Sequence, residues 1–537
     1  MRKASLSVAV SLAALVLLEF ISFEVNGISG VRGGLLLKHI LPYFAIFCLS
    51  ATLYKCFPTT FERVAAAILS VWLSYEAVLG IMQLAGLRMS FHRLFRMTGS
   101  FDNPGPYGGF LAVCVAVCLA FFWKFRRGSG KADKLLSPVC LFSSVLGLVV
   151  LPATLSRSAW AAIAVAALFF LLSQDRLRSW LKGHKWIAAV IAALCVALAT
   201  AGVFLKKDSA LGRVHIWRIE TRSICKNPLI GYGPGNAMGA YGEAQADFFY
   251  ERERSEDEIR TAGCPEYPFN EYLRFGLETG LGGLLLSGMV AAGAVAALLK
   301  ARSPLSFGLL ALSVFAFASY PLSVQQLAAL LSVFLGCAVS SDEWTVNWTR
   351  PKAVLYAVAV SALVGVLAFG LYGEFRISGA EKRWKDAKAV AERLRPQSLS
   401  CSLGRENNLL CDNYRYLYDY GYSLFLAEEY EKGIGVLQEG AAMSCDPMFW
   451  NIIGRCREGL GDYEAARRAY IHSSKMVPSR LYPLSLLMNL YLKTGDGTAA
   501  AVCAEKILLM PWNPCNWNML RIREQASAVL QRGGSDI

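Results

Sequence analysis

About eleven apolar runs constrain this chain more than any other feature. They cover roughly residues 5–25, 37–54, 64–86, 105–123, 138–153, 157–173, 186–205, 272–299, 305–322, 323–339 and 353–372. A bilayer core of about 30 Å, crossed at about 1.5 Å per residue, takes roughly 20 residues of helix, and several runs reach that length. Backbone inside hydrocarbon has no water to bond, so it must close its own hydrogen bonds, as a helix does. The expected fold is all-α: a polytopic transmembrane helical bundle of about 11 helices, followed by a soluble α-helical repeat domain. Composition agrees, because 55% hydrophobic and 18% charged residues over 537 positions are too apolar for an ordinary soluble enzyme. The first run follows Met1-Arg2-Lys3 and ends without a small-residue cleavage pattern, which reads as a retained helix and not a removed signal peptide.

Lys and Arg in short loops favour the cytoplasmic side. Placing the N-terminus inside collects 17 Lys/Arg in the cytoplasmic segments, against Arg32, Lys38, Arg88, Arg93, Arg96 and Arg157 in the opposite short loops. An odd number of helices then puts residues 373–537 on the outer side, together with a long outer loop at 206–270. The net charge of +14 lies mostly in the membrane part, since the tail from Gly373 has 21 basic and 19 acidic residues. The surplus is topological and argues against nucleic acid as a partner. Eight of the 15 cysteines fall in outer segments, where disulfides persist. No Cys-x-x-Cys pair and no close histidine pairing suggests a metal, so none is expected.

The tail divides into a linker helix region at 373–412 and repeats at 413–537. GYSLFLAEEYEKGIGVLQEGA from Gly421 and GRCREGLGDYEAARRAYIHSS from Gly454 align at a spacing of 33 residues, and Pro478 and Pro511 continue that spacing. Helix, turn and helix at this period resemble tetratricopeptide repeats. Such units stack into a concave surface, which serves either as a buttress for the membrane domain or as a docking face for a protein partner.

Four outer segments carry polar chemistry into the membrane. HRLFRMTGSFDNPGPYGG brings Arg93 and Arg96 to the start of a helix at which Asn103 can cap and the prolines need no amide partner. Cations beside a helix N-terminus suit an anion such as diphosphate. TLSRSAW adds Arg157, a charge that at membrane depth needs a partner or a polar cavity. GRVHIWR supplies Arg213, His215 and Arg218, ahead of the glycine-rich NPLIGYGPGN. FNEYLRFGLETGLGG re-enters the membrane with Asn270, Glu271, Arg274 and Glu278.

In these four elements, taken in this order, the chain resembles the O-antigen ligase family, which includes O-antigen polymerases and bacterial protein O-oligosaccharyltransferases. The resemblance covers about residues 98–286. It implies a transferase that needs no metal or other cofactor and works at the outer face of the bacterial inner membrane, the side on which the charge asymmetry puts the C-terminal repeats, that is, the periplasm. The implied donor is an undecaprenyl-diphosphate-linked glycan, and the acceptor is a lipid, a protein or another glycan. Arg157 and Arg213 match the family's arginines associated with the lipid diphosphate. The expected catalytic set is Arg157, Arg213, His215, Asn270 and Glu271, with Arg93, Arg96, Asn103, Arg218 and Glu278 binding substrate. Many members carry His where this chain has Phe269, and that histidine is a candidate base. His215, Glu266 or Glu271 could replace it, or leaving-group stabilisation could carry the catalysis. A non-catalytic lipid-glycan scaffold is the reading from a different class.

Overall fold

The computed structural model describes residues 2–92, 94–174, 183–184, 186, 207–252, 254–341, 350–391, 397–513 and 515–533. Every regular element among them is helical. The membrane part holds α1 (Arg2–Val25), α2 (Gly30–Cys56), α3 (Pro58–Leu84), α4 (Pro104–Phe125), α5 (Lys131–Val150) and α6 (Arg157–Leu172). A region outside the bundle follows, called the outer region below, with α7 (Lys207–Lys226), α8 (Ala237–Tyr250) and α9 (Glu256–Thr261). The chain re-enters the bundle as α10 (Glu271–Lys300), α11 (Leu305–Ala316) and α12 (Gln325–Val339), and α13 (Arg350–Ala391) leads out of it. Seven described helices are long and apolar enough to cross a membrane, and α6, α11 and α12 are shorter apolar helices. The expected span 186–205 lies outside the described residues, apart from residue 186.

Two expectations change. The run 305–322 is not one helix: α11 stops at Ala316, and a short 3₁₀ turn at Pro321–Ser323 precedes α12. Pro321 has no amide hydrogen and forces its predecessor out of the helical region, and Tyr320 accordingly sits at φ −127°, ψ 57°. The expected boundary at 372 falls inside α13, which continues for 42 residues without interruption.

α4 is the axis of the bundle, with 16 of its 22 residues buried against α3, α5, α6 and α11. Lipid is as apolar as leucine, so close packing and not the hydrophobic effect holds such helices together. Small residues make that packing possible. A Cβ on Gly109 would fall 2.3 Å from the Phe315 ring of α11, and one on Gly108 would fall 2.8 Å from Thr154 and Ser156 ahead of α6.

The two poles are distinguishable from side-chain contacts. At one, Glu62 of α3 pairs with Lys124 and accepts the Ser303 hydroxyl at 2.8 Å, while Arg63 pairs with Asp133 at 2.8 Å. At the other, the outer region and the tail meet. His39 of α2 bridges Glu374 (2.6 Å) and Asp412 (3.0 Å), and Cys445 and Met476 of the tail share an apolar cluster with Tyr241 and Phe248. Residues 207–270 and the tail therefore occupy the same pole.

The tail consists of serial helix pairs: α16 (Tyr414–Leu426) with α17 (Tyr430–Met443), α18 (Met448–Gly459) with α19 (Tyr463–Met476), and α20 (Leu481–Thr494) with α21 (Gly497–Leu509). Before them come α14 (Gln397–Gly404) and α15 (Asn407–Leu410), and α22 (Trp517–Gly533) follows them. The 33-residue spacing has a packing basis. Gly421 lies against Leu437, and Gly454 lies against Tyr470, a pair displaced by the same interval.

Candidate active site

The turn that begins α4 is clamped from α3. Gln83 Oε1 accepts the amides of Thr98 (3.0 Å) and Gly99 (2.8 Å), and Glu76 accepts the amide (3.0 Å) and hydroxyl (2.5 Å) of Ser100. Asn103 then caps α4 by accepting the Gly105 amide at 2.8 Å. Because Gly108 has no side chain, the 154–156 turn lies directly against α4. Leu155 takes a left-handed conformation there (φ 51°), and the Ser156 side chain makes no capping bond to α6. Two helix N-termini thus lie side by side: that of α4 is closed by its prolines and the Asn103 cap, and that of α6 has no side-chain cap.

A cavity of about 120 Å³ opens between them. Pro104 and Gly105 line it from α4, Ser156 to Ser158 from the start of α6, and Arg213 from α7. Phe269, the Ser319-Tyr320 pair and the Thr154-Leu155 turn complete the lining. Arg157 and Arg213 face the same space, and burial together with the charge of Arg157 lowers the Arg213 pKa from its ordinary value. Two neighbouring cations repel when the cavity is empty and gain from an anion between them.

Phe269 stands at φ 53°, a conformation that L residues rarely adopt. Its ring lies 5.3 Å from the Arg213 guanidinium and edge-on to Tyr320 at 5.4 Å. Asn270 and Glu271 do not line this cavity. Asn270 is buried as the N-cap of α10, accepting the amides of Tyr272 (3.0 Å) and Leu273 (3.2 Å). Glu271 accepts the Leu322 amide at 2.8 Å and pairs with Arg274 at 3.0 Å. It thereby anchors the turn that carries Tyr320.

Next to that turn an apolar pocket of about 130 Å³ lies among α1, α10, α11 and α12, lined by Leu12, Phe275, Leu312 and Leu335 and rimmed by Pro321 and Leu322. A lipophilic slot and a cationic cavity are therefore neighbours, meeting at residues 320–322.

The other expected residues are engaged elsewhere. His215 is buried edge-on to Phe248 at 5.8 Å, with Nε2 3.3 Å from Gln245 Oε1. Gln245 Nε2 donates to the carbonyls of Gly263 (2.9 Å) and Met476 (2.5 Å), so its oxygen must accept, and His215 Nε2 carries the hydrogen. Burial lowers the His215 pKa below 6.5. Arg218 is exposed and pairs with Glu258 at 3.1 Å. Glu266 pairs with Arg415 of the tail at 2.6 Å. Arg96 is exposed and does not line the cavity, while Arg93 lies outside the described residues.

Glu278 is a positioning residue. α10 breaks at Gly280 (φ 75°, ψ −168°), which only glycine adopts easily, and the freed backbone groups are taken by the glycine-rich loop. Tyr232 donates to the Leu277 carbonyl (2.8 Å), Gly233 to the Glu278 carbonyl (3.0 Å), and Leu281 to the Pro228 carbonyl (2.8 Å). The Glu278 carboxylate accepts the Gly235 amide at 3.1 Å.

Sequence reasoning missed Ser319 and Tyr320, which sit inside a run taken as continuous helix. The signal was the Ser-Tyr-Pro triplet, since the proline argues for a break and an extended residue before it.

Residues 142–288 match the family described as O-Antigen ligase. The matched stretch contains Arg157, Arg213 and Phe269, and it ends within α10. No curated protein matches the chain.

Proposed function

We propose, from the match of residues 142–288 to the O-antigen ligase family, that the chain transfers a glycan from undecaprenyl diphosphate to an acceptor hydroxyl at the outer face of the bacterial inner membrane. The observation that carries this reading is the cavity where Arg157 and Arg213 face two adjoining helix N-termini. Planar guanidinium groups beside the N-terminus of α6, which no side chain caps, suit phosphate oxygens. The apolar pocket rimmed by Pro321 and Leu322 suits the first units of an isoprenoid chain.

In this reaction the acceptor oxygen bonds to the anomeric carbon as the bond from that carbon to the phosphate oxygen breaks. The electron pair stays on the leaving diphosphate, where negative charge grows in the transition state. Arg157 and Arg213 stabilise that charge at fixed positions, without reorganisation during the reaction. Among the described residues, the lining offers hydroxyls from Thr154, Ser156, Ser158, Ser319 and Tyr320 but no carboxylate or imidazole. Leaving-group stabilisation therefore dominates, and the acceptor proton passes to a phosphate oxygen of the departing group. Glu271 and Glu278 hold the site's walls, and His215 holds the outer region together.

Proteoliposomes loaded with lipid-linked oligosaccharide and membrane acceptors test this reading. Release of undecaprenyl diphosphate with a matching glycosylated product is expected, and its absence with every acceptor would refute catalysis. Phe269→His is expected to raise the single-turnover rate at least about threefold, because it puts a base worth up to 10²–10⁴ beside the reacting atoms. A rate unchanged or reduced in that variant would remove position 269 from the acceptor's side.

A further inference from the structure

A wider cavity, of about 470 Å³, lies where the outer region meets the tail. Three parts of the chain build it: Glu266 from the outer region, Trp384 and Lys388 from the end of α13, and the repeats, with Tyr414 and Asp419 from α16 and Asp446 from the turn between α17 and α18. An adjoining cavity of about 310 Å³ shares Glu266, Tyr414 and Arg415 and adds Tyr267. The Tyr267 ring stacks at 4.0 Å on Tyr320, which lines the arginine cavity. One aromatic pair separates this groove from the proposed reaction centre.

The chemistry of the lining is specific. Its charges are already paired: Asp419 accepts from Lys388 (2.8 Å) and from the Trp384 indole (3.1 Å), Glu266 pairs with Arg415 (2.6 Å), and Asp446 pairs with Arg480 (3.5 Å). Arg415 also donates to the Tyr414 hydroxyl at 3.2 Å. The groove thus offers little net field to an ion. It does offer planar carboxylates and a guanidinium held in fixed directions, interleaved with aromatic rings. A neutral polyhydroxylated ring fits such a surface, because its C–H faces pack on aromatic faces while its hydroxyls both donate and accept. A charged peptide would have to break the existing ion pairs.

We propose that this groove is a glycan-binding subsite for neutral pyranose units of the substrate, formed only because the tail is docked on the outer region. The proposal rests on the transferase reading, and it gives the repeats a part in the substrate site. The sugars come either from the donor or from a glycan acceptor, and both present the same chemistry.

The test uses the full chain in lipid nanodiscs and two probes: sugar-free undecaprenyl diphosphate, and the producing strain's oligosaccharide released from its lipid by mild acid. Wild-type protein should bind both. Tyr414→Ala should weaken oligosaccharide binding at least tenfold and leave undecaprenyl diphosphate binding within twofold. Glu266→Gln, at a half-exposed ion pair whose loss costs little stability, should weaken oligosaccharide binding at least threefold with an unchanged melting temperature. Oligosaccharide excluded by saturating lipid-linked donor assigns the groove to the donor's sugars, whereas oligosaccharide that still binds assigns it to an acceptor glycan. Either result supports the subsite. Failure of the wild type to bind the oligosaccharide, equal binding by both variants, or capture of acceptor peptides in its place would overturn it. Failure to bind undecaprenyl diphosphate would instead strike the transferase reading.

Discussion

Replacing Arg213 by alanine should separate catalysis from stability in a way that a structural arginine would not. In the proposed transition state the guanidinium makes two charge-assisted hydrogen bonds to phosphate, each worth about 1.5–3 kcal/mol. Taking the lower figure for both gives a loss of about 3 kcal/mol, or about 10²-fold in rate at about 1.4 kcal/mol per decade. Stability responds to different forces. The variant loses the contact with the Phe269 ring at 5.3 Å, worth about 0.5–1 kcal/mol. It also loses the repulsion from Arg157 that helps lower the Arg213 pKa. The two effects oppose each other, so the net change should stay below about 1 kcal/mol, a shift of no more than about 2–4 °C in melting temperature for a large domain. Arg213→Lys should recover less than tenfold of the lost rate, because an ammonium cannot reproduce the planar fork. Single-turnover transfer in proteoliposomes, paired with thermal unfolding in detergent, reads both quantities. Transfer within threefold of wild type, or a melting temperature lowered by more than about 8 °C, would refute the reasoning.

His215→Gln should change transfer less than threefold, since the imidazole bonds Gln245 away from the cavity; a tenfold loss would return it to the chemistry. Burial lowers the His215 pKa, so its stability contribution is complete above the unfolded value of about 6.5 and is lost as pH falls below it. The variant should flatten the fall in melting temperature between pH 7 and pH 5. Glu271→Ala leaves the partly buried Arg274 without its paired carboxylate and should cost about 3 kcal/mol, the low end for such a pair, seen as a drop in melting temperature, whereas Glu271→Gln keeps an acceptor for the Leu322 amide and should cost less. Single-cysteine variants at Lys131 and Thr498 should label from opposite sides of intact spheroplasts, with Thr498→Cys reached from outside; the reverse pattern would invert the topology.

The bundle was legible in the sequence because hydropathy is a local property: a run such as 105–123 announces a helix wherever it packs. The site was half legible. Its segments stand out as motifs, and Arg157, Arg213 and Phe269 do meet at one cavity. The roles of their neighbours depend on contacts far along the chain. Asn270 caps a helix, Glu271 reaches an amide 51 residues later, and His215 bonds a glutamine that is fixed in turn by Met476. No spacing within GRVHIWR or FNEYLRF reveals those partners. The groove beside Tyr414 was hidden for the same reason, because its Glu266 wall lies more than a hundred residues before the Trp384 and Tyr414 walls.

The uninterrupted helix α13 turns sequence distance into height. From Ala353, where its apolar portion begins, to Trp384 the rise is about 47 Å at 1.5 Å per residue. Subtracting a hydrocarbon slab of about 30 Å leaves Trp384 standing about 15 Å above the slab's edge, like a mark on a gauge post. A glycan tethered to lipid at the surface would meet that mark at a fixed number of sugars from its anchor. The post can be recut: seven extra residues between Gly373 and Trp384 would raise the mark by about 10 Å and return it to nearly the same face, whereas two would turn it away.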